Sequence, residues 1–326
     1  MGALLASVRM RVNVAAAWES PCSLDCDAWV CNTESRHLPP LDAADRVRTV
    51  VRSLQALGVD RFYKKTDSTL RGPIAAELAA LSGVLSDLPV LYVAAYPKLG
   101  RTVVNGELLV DGVPVSGTSF GRDLLNPVVE SSVPEMLRAG GCSNVEQGLP
   151  EGRLEPGVIY VPDAQTDSEL ESIAFRIGSQ KIAAAGPGGF GRHWARSLGV
   201  ASDCPKLPPV GNAVLISGSR HPMARLQARV AGIPVIESPE EIQPDPKCVA
   251  HQLAQALDGE LPELLIVFGG DTALAVLRHL GIEELHPAGE VLPGIPISWC
   301  GDMLLVTKAG GFGEPGVVQQ IMRVLT

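Results

Sequence analysis

The sequence lacks the features of membrane-spanning and nucleic-acid-binding proteins. No apolar stretch reaches the about 20 residues that a transmembrane helix requires. Basic residues are in the minority, because 27 lysines and arginines face 36 aspartates and glutamates, giving a formal net charge of −9. No basic stripe of the kind carried by nucleic-acid-binding domains is visible. We therefore expect neither a membrane nor a nucleic acid as a partner.

Cysteines are few and form no paired C-x₂-C pattern. Their odd number and wide spacing disfavour a zinc site or a disulfide framework. They are Cys22, Cys26, Cys31, Cys142, Cys204, Cys248 and Cys300. This pattern is typical of free thiols in a reducing compartment, so we expect a cytoplasmic protein. Arg9 and Arg11 interrupt the apolar start of the chain, which therefore differs from a signal peptide and is assigned to the fold.

Several common catalytic signatures are also absent. The sequence has no G-x-x-x-x-G-K-[ST] loop and no clean G-x-G-x-x-G fingerprint, which disfavours a P-loop kinase and a dehydrogenase. The six histidines are dispersed, with no H-x-x-x-H pair and no G-x-S-x-G motif. Zinc hydrolases and serine hydrolases are therefore disfavoured as well.

Short apolar runs alternate with helical patterns along the 326 residues, which is enough chain for two domains. This alternation predicts an α/β protein of two domains, each a largely parallel sheet flanked by helices. We place the domains at 1–205 and 206–326, with the proline-rich segment Cys204–Pro209 as linker. The dipeptides Asn105-Gly106 and Asp111-Gly112 predict a small antiparallel hairpin element in the first domain.

Periodicity places individual elements. Valines and leucines at helical spacing predict a helix from about Asp42 to Leu57, which Gly58 ends. Other predicted helices cover 168 onward, 222–230, 248–257, 272 onward and the carboxy-terminal residues to 325. Predicted strands cover 28–31, 61–66, 90–95, 158–161, 182–185, 213–216, around 235, 264–268 and 303–307.

Ligands of open parallel sheets gather beyond the carboxyl ends of the strands, so the loops there are the candidate sites. The first loop runs from Lys64 to Gly72. Arg71 could hold a carboxylate through two parallel hydrogen bonds, and Asp67 could accept hydrogen bonds from a hydroxyl. Equally, Asp67 or Ser68 could simply cap the following helix.

Lys98 and Arg101 follow the next strand and could also hold an anion. Considered by itself, this second loop is more typical of an ordinary basic turn. His37 and His221 lie in candidate active loops too.

Three glycine-containing loops follow strands of the second half. Two glycines at Gly269-Gly270, next to a helix start, allow the backbone to approach a phosphate closely. Asp271 would then cap the helix or meet a Mg²⁺ ion. A Gly-Gly turn alone favours a plain turn, but Ser217-Gly218-Ser219 and Lys308–Gly313 end neighbouring strands in the same way.

Taken together, these motifs resemble the four-carbon acid sugar kinases, a family formerly described as a domain of unknown function, DUF1537. The block Lys65-Thr66-Asp67-Ser68-Thr69-Leu70-Arg71-Gly72 is specific to its amino-terminal domain. Further matching segments are Asn32–Arg36, Ala95–Arg101, Asp111–Pro114, Phe120–Pro127, Gly269–Thr272, Gly289–Gly294 and Thr307–Gly313.

The resemblance implies a first domain that binds threonate, erythronate or 3-oxo-tetronate and a second that binds ATP. Phosphate would pass between them to a hydroxyl of the acid, with Mg²⁺ and backbone amides neutralising charge. It implies Asp67, Arg71 and Lys65 as catalytic residues, with Asn32, Arg36, Lys98 and Arg101 binding the substrate. The implied nucleotide-binding residues are Ser217, Ser219, Gly269, Gly270, Asp271, Thr272, Gly310, Gly311 and Gly313.

The sequence also departs from the family pattern. Family members begin with a strand and an Ala-Asp-Asp-[Leu/Phe]-Thr-Gly-Ala loop, whereas Gly2-Ala3 here aligns with the end of that loop. We therefore expect a chain shortened at its amino terminus, and a shorter stretch than usual between Ser219 and Gly269. A catalytically silent protein that still binds the acid and the nucleotide is the alternative function. A homodimer is compatible with either function.

Overall fold

The structure is a computed structural model. It describes residues 1–6, 10–15, 26–123, 125–178, 180–199, 207–219, 221–238, 252–253, 255–257 and 261–326. The chain forms two compact units. The first contains Met1 and the described residues from Asn32 to Gly199, and the second contains the described residues of 2–31 and those from Leu207 onward. The second unit thus takes up an amino-terminal segment that the predicted boundaries, 1–205 and 206–326, assign to the first.

The first unit is built on a five-stranded parallel sheet in the order β3-β10-β4-β9-β8. Its strands are β3 (Phe62–Lys65), β4 (Val90–Tyr92), β8 (Val145–Gln147), β9 (Ile159–Val161) and β10 (Ala183–Gly186). Its helices are α2 (Pro40–Ala56), α3 (Ile74–Val84), α4 (Val133–Ala139), α5 (Asp167–Ile177) and α6 (Gly188–Ser197). The centre of the sheet is fully apolar, because β4, β9 and β10 are buried at every position.

A three-stranded antiparallel sheet completes this unit, with β5 (Arg101–Val104), β6 (Glu107–Val110) and β7 (Val113–Pro114) in sequential order. Both connecting turns need left-handed backbone, with φ of 50° and 79° at Asn105 and Gly106 and 51° and 82° at Asp111 and Gly112. Asn-Gly and Asp-Gly favour such turns. The predicted hairpin element is confirmed.

The second unit contains an eight-stranded mixed sheet in the order β12-β11-β13-β16-β15-β14-β1-β2. Its strands are β1 (Val12–Ala15), β2 (Ala28–Cys31), β11 (Ala213–Ser217), β12 (Val235–Glu237), β13 (Leu264–Phe268), β14 (Glu284–Leu292), β15 (Ile295–Cys300) and β16 (Met303–Lys308). Its named helices are α1 (Gly2–Ala6), α7 (Pro222–Arg229), α8 (Gly270–His279) and α9 (Val317–Leu325).

One half of this sheet is parallel, as expected, and the other half is mostly antiparallel. Strands β12, β11, β13 and β16 run parallel, whereas β15, β14 and β1 pair antiparallel in turn and β2 pairs parallel with β1. Strands β14 and β15 were not predicted, because Pro287, Gly289 and Pro293 interrupt their apolar pattern. The five residues of β13 are all buried between two apolar clusters, one on each face.

Register brings three loops to one edge of the parallel half. Ser217 lies opposite Phe268, and Phe268 lies opposite Lys308, so β11, β13 and β16 end at the same level. Of the predicted helix Cys248–Leu257, only residues 252–253 and 255–257 are described, and the start of the linker Cys204–Pro209 lies outside the described residues.

Two simpler expectations concern cysteine and the membrane. Within the described ranges, Cys26, Cys31, Cys142 and Cys300 are free thiols, and the other three cysteines lie outside them. A search of the same ranges finds no helix with the length and apolar character needed to cross a membrane.

Candidate functional site

The loop between β3 and α3 is folded around the carboxylate of Asp67. The backbone N–H and the hydroxyl of Thr69 both donate to Asp67 Oδ1, at 2.9 and 2.5 Å. Leu70 and Gly72 both have positive φ, 61° and 89°, and the Gly72 Cα approaches the backbone of Arg36 so closely that an added Cβ would lie 3.1 Å from the Arg36 carbonyl oxygen. The turn therefore needs glycine at its end and draws the loop containing Arg36 against it.

Two guanidinium groups converge on Asp67. Its Oδ2 atom lies 3.1 Å from Arg36 Nη2 and 3.2 Å from Arg71 Nη2, and its side chain is 7% exposed. Burial acts to raise the pKa of Asp67, but hydrogen bonds from Thr69 and Arg71 outweigh it and lower the pKa below its ordinary value. Asp67 is therefore ionised at neutral pH and holds two cations in fixed positions.

Arg71 has further partners besides Asp67. Its Nη1 donates to Asp123 Oδ2 at 3.3 Å, and its guanidinium lies 5.2 Å from the centre of the Phe120 ring. The Arg101 guanidinium lies 5.8 Å from the same ring. Phe120 thus supports Arg71 and Arg101 on one aromatic surface, within the range of a cation–π contact.

Lys65, unlike Arg36 and Arg71, has no ion-pair partner among the described residues. It is exposed, and its charge interacts with those of Asp67, Arg36 and Arg71. The ammonium group is therefore available to an anionic ligand at this point of the first unit.

A buried ion pair lies behind the loop. Lys64 Nζ and Glu77 Oε1 are 3.0 Å apart, with side chains 15% and 6% exposed. Ser35 also donates a hydrogen bond to Glu77 Oε1, and the hydroxyls of Thr33 and Ser35 are 2.7 Å apart. Glu77 on α3 therefore connects β3 to the Asn32–Arg36 loop and sets the position of Arg36.

Two of the predicted substrate-binding residues have other partners. Lys98 Nζ lies 2.7 Å from Asp167 Oδ2 at the start of α5. The Asn32 side-chain oxygen Oδ1 accepts a hydrogen bond from the Glu34 backbone N–H at 3.2 Å. Both side chains remain exposed, whereas Arg36, Arg71 and Lys65 are grouped around Asp67.

Sequence reasoning did not identify Glu77 or Phe120 as parts of the site. Glu77 is the only acidic residue among the apolar residues of α3, and it is buried at 4% exposure. A buried carboxylate needs a partner, and this was the signal that could have singled it out. Phe120 gave no comparable signal, because an aromatic residue in a loop has many uses.

In the second unit, three loops meet at the ends of β11, β13 and β16. A Cβ added at Gly310 would overlap the Ser219 hydroxyl oxygen and lie 2.6 Å from Ser219 Cβ. One added at Gly218 would overlap Thr272 Oγ1, and one added at Gly311 would lie 2.8 Å from His221 Nε2. The loops are packed so closely that a larger residue at these positions would force a neighbouring side chain to move, and this packing brings the predicted nucleotide-binding residues together.

The middle loop opens directly into α8. The Gly269 N–H donates to the Lys308 carbonyl at 2.9 Å, and its φ of 108° requires glycine. The helix begins at Gly270, where an added Cβ would meet nothing within 4 Å. Its first N–H groups carry the positive end of the helix dipole.

Asp271 is the one acidic side chain in the first turn of α8, and it is exposed. Among the described residues, no group of three histidine, cysteine, aspartate or glutamate side chains could hold a metal ion.

Comparison with known proteins agrees with this division of chemistry. A family described as "Sugar-binding N-terminal domain" matches residues 1–194, and one described as "Nucleotide-binding C-terminal domain" matches residues 213–317. D-threonate kinase of Bordetella bronchiseptica is 30% identical over 93% of this chain and 87% of its own. A 3-oxo-tetronate kinase of Brucella melitensis is 26% identical over 89% and 84%.

Solved structures show the same fold. A DUF1537 protein of Haemophilus influenzae superposes with a TM-score of 0.82, at 20% identity over 100% of this chain and 97% of its own. A DUF1537 protein of Bordetella bronchiseptica, crystallised as a domain-swapped dimer with bound citrate, gives 0.55 at 27% identity, over 99% and 94%.

The chain combines a sugar-binding domain with a nucleotide-binding domain, and relatives named as kinases match it over nearly their whole length. These two findings define a sugar-acid kinase. The chain belongs to the four-carbon acid sugar kinase family, as its motifs predicted. Its alignment with D-threonate kinase of Cupriavidus necator runs over 395 positions, more than the 326 residues here, so that relative has internal residues without a counterpart in this chain.

Proposed function

We propose that the chain transfers the terminal phosphoryl group of ATP to a hydroxyl group of threonate, erythronate or 3-oxo-tetronate. The observation that supports this most strongly is the cluster around Asp67, where Arg36 and Arg71 are held in place and Lys65 is left for a ligand. D-threonate is the first candidate, because relatives at 27–30% identity over more than nine-tenths of the chain carry that name.

In the first unit, Lys65 and the half-exposed Arg36 bind the carboxylate of the acid. The Arg71 guanidinium lies in the same cluster, where it contacts Phe120 and Asp123, and it can donate to a further oxygen of the ligand. Asp67, ionised at neutral pH, accepts a hydrogen bond from a hydroxyl group. Asn32, Lys98 and Arg101 complete the proposed substrate set.

In the second unit, backbone groups bind the phosphates. The proposed residues are Ser217, Ser219, Gly269, Gly270, Asp271, Thr272, Gly310, Gly311 and Gly313. The close approach of Gly310 to Ser219 and of Gly218 to Thr272 leaves bare backbone lining this surface. Magnesium would be bound by Asp271 together with phosphate oxygens.

The reaction requires little covalent chemistry from the protein. The acid hydroxyl oxygen bonds to the terminal phosphorus, the bond from that phosphorus to the bridging oxygen breaks, ADP leaves and the hydroxyl proton is released. Positioning and neutralisation of phosphate charge account for most of the catalysis in such transfers. Magnesium supplies charge neutralisation when bound.

A turnover assay tests the proposal. The protein is incubated with ATP, Mg²⁺ and each of D-threonate, D-erythronate and 3-oxo-tetronate, and ADP release is followed with phosphate detected on the acid. Turnover with one of these acids, and none with glucose, is the expected result.

Binding without turnover would instead indicate the catalytically silent protein. Calorimetry with the same acids and a non-hydrolysable ATP analogue separates the two outcomes. Absence of both turnover and acid binding would remove the support for the acid pocket altogether.

We further propose a cytoplasmic location and a homodimer as the working assembly. The free thiols in the described part of the chain and the domain-swapped dimer of the Bordetella bronchiseptica relative support these two proposals. Light scattering of the purified protein tests the second.

A further inference from the structure

Five carbonyl groups of the loop after β16 accept hydrogen bonds from two buried side chains. Lys308, the last residue of β16, is only 4% exposed. Its Nζ atom donates to the carbonyls of Ala309, Gly310 and Phe312 at 2.8, 3.0 and 2.8 Å. The same ammonium lies 4.1 Å from the centre of the Phe268 ring. A charged group has thus been buried directly under the loop.

A second buried donor meets the other end of the loop. Gln227 on α7 is fully buried, and its Nε2 lies 3.0, 2.9 and 2.9 Å from the carbonyl oxygens of Phe312, Gly313 and Glu314. Its two N–H bonds are therefore shared among these three acceptors. Its Oε1 atom is buried with no hydrogen-bond partner among the described residues.

These contacts fix the direction of the N–H groups. In a trans peptide the N–H points opposite to the carbonyl of the preceding residue. Because the carbonyls of Ala309, Gly310 and Phe312 point inward, the N–H groups of Gly310, Gly311 and Gly313 point outward. Within the described chain none of these three N–H groups has an acceptor, and the loop from Gly311 to Glu314 is exposed.

We propose that Lys308 and Gln227 are positioning residues, which hold this loop with its carbonyls inward so that its N–H groups face the phosphates of the nucleotide. The ligand assignment rests on the proposed function. All three N–H bonds of the Lys308 ammonium are directed to loop carbonyls, so this lysine acts through the loop and has no donor left for a phosphate.

The hydrogen bonds from Lys308 to the loop depend on the charge state of its amine. Burial lowers the pKa of Lys308 to about 8, and within the described residues no carboxylate lies within ion-pair distance of its Nζ. The titratable side chains on the loops around it are His221 after β11, Asp271 after β13 and Glu314 on its own loop. A neutral amine has two N–H bonds for three carbonyls, so the loop loses at least one contact above this pH.

The test compares wild type, Lys308→Met and Gln227→Met. Methionine keeps most of the buried volume but removes the donors. We expect ADP to bind about tenfold more weakly to each variant, which corresponds to the loss of roughly one hydrogen bond from a charged or fully buried donor.

The ADP affinity of wild type should also fall between about pH 7.5 and 9.5, by at most tenfold per pH unit, whereas the ADP affinity of Lys308→Met should not change with pH. Gln320→Met and Lys181→Met, at exposed positions, serve as matched controls and should bind ADP like wild type.

A second measurement needs no nucleotide. The Phe312 N–H donates to the Ala309 carbonyl at 3.1 Å, so its protection from hydrogen exchange reports the loop conformation. We expect that protection to be lost in Lys308→Met while the strand amides of β13 stay protected. Unchanged Phe312 protection together with unchanged, pH-independent ADP affinity would overturn the inference. Failure of wild type to bind ADP at any pH would instead count against the proposed function, and the exchange experiment would still decide the positioning of the loop.

Discussion

The loop after β3 and the loop after β16 both present positive potential, but the charge has a different source in each. Around Asp67 it resides on side chains, since Arg36, Arg71 and Lys65 surround one carboxylate. After β16 it resides on backbone N–H groups, with the one nearby ammonium buried beneath the loop. The first arrangement suits a small carboxylate that must be distinguished by its shape, and the second suits phosphates, which every nucleotide shares.

The difference also extends to what holds each loop in place. The loop after β3, called here the acid loop, is held by ion pairs, including the buried pair of Lys64 and Glu77. The loop after β16, called here the glycine loop, is held by the neutral donor Gln227 and the charged donor Lys308, which bond to the carbonyls of the loop. Substitutions should therefore damage the first through charge and the second through volume or lost donors, which the following predictions test in order of expected effect.

The largest effect is expected at Glu77. Glu77→Ala leaves the Lys64 ammonium buried without its partner, which costs about 3–5 kcal/mol in the free energy of unfolding. Denaturant unfolding of the purified variant measures this. The double variant Lys64→Met, Glu77→Leu is the control and should recover most of the stability, because it removes both charges. A single variant as stable as wild type would show that the ion pair does not hold the acid loop.

Arg71 tests the charge on the acid side. Arg71→Ala should weaken binding of D-threonate by about 1.5–3 kcal/mol, the range for hydrogen bonds to charged groups. Calorimetry gives the affinity directly, and Arg52→Ala, at an exposed position of α2, is the matched control. Unchanged acid affinity in Arg71→Ala would place the pocket elsewhere.

Substitution of Gly310 tests the effect of added side-chain volume between the two loops. In Gly310→Ala the new Cβ would overlap the Ser219 hydroxyl oxygen, so one of the two loops must move. Overpacking of this kind costs about 1–3 kcal/mol, and we expect at least a few-fold weaker ADP binding with acid binding unchanged. Gly83→Ala, where a Cβ meets nothing within 4 Å, is the control. Normal ADP affinity in Gly310→Ala would show that the close approach of these loops has no part in nucleotide binding.

The smallest effect concerns stability against pH. Because burial lowers the pKa of Lys308 from 10.5 to about 8, the unfolded chain holds a proton between those values that the folded chain has lost. Stability rises with pH wherever the unfolded state binds more protons, so wild type should gain about 1–2 kcal/mol relative to Lys308→Met between about pH 7.5 and 9.5. Unfolding curves at the two pH values measure the change. Equal changes in the two proteins would contradict it.

The sequence predicted the parts of these sites that depend on local pattern. Alternating apolar and helical segments located the parallel strands, and the residues Asp67, Arg71 and Gly310 follow from their position at strand ends. It did not reveal the inward donors, because nothing in the local pattern distinguishes Lys308 from a solvated lysine in a turn. Its burial follows from the packing of β16 against β13, and the burial of Gln227 from the packing of α7 beneath the loop.

The antiparallel half of the large sheet was missed for a related reason. Pairing of β14 with β1 depends on contacts between residues far apart in sequence, such as Val14 with Leu285. The local sequence does not indicate such contacts, and Pro287 and Gly289 within β14 argued against a strand.

One calorimetric experiment tests the central claim most directly, namely that two chemically different sites bind two different ligands. D-threonate and ADP are each titrated into wild type, Arg71→Ala and Gly310→Ala. We expect Arg71→Ala to lose affinity for the acid alone and Gly310→Ala to lose affinity for the nucleotide alone. Loss of both ligands in either variant, or of neither, would contradict the assignment of a charged acid site and a backbone phosphate site.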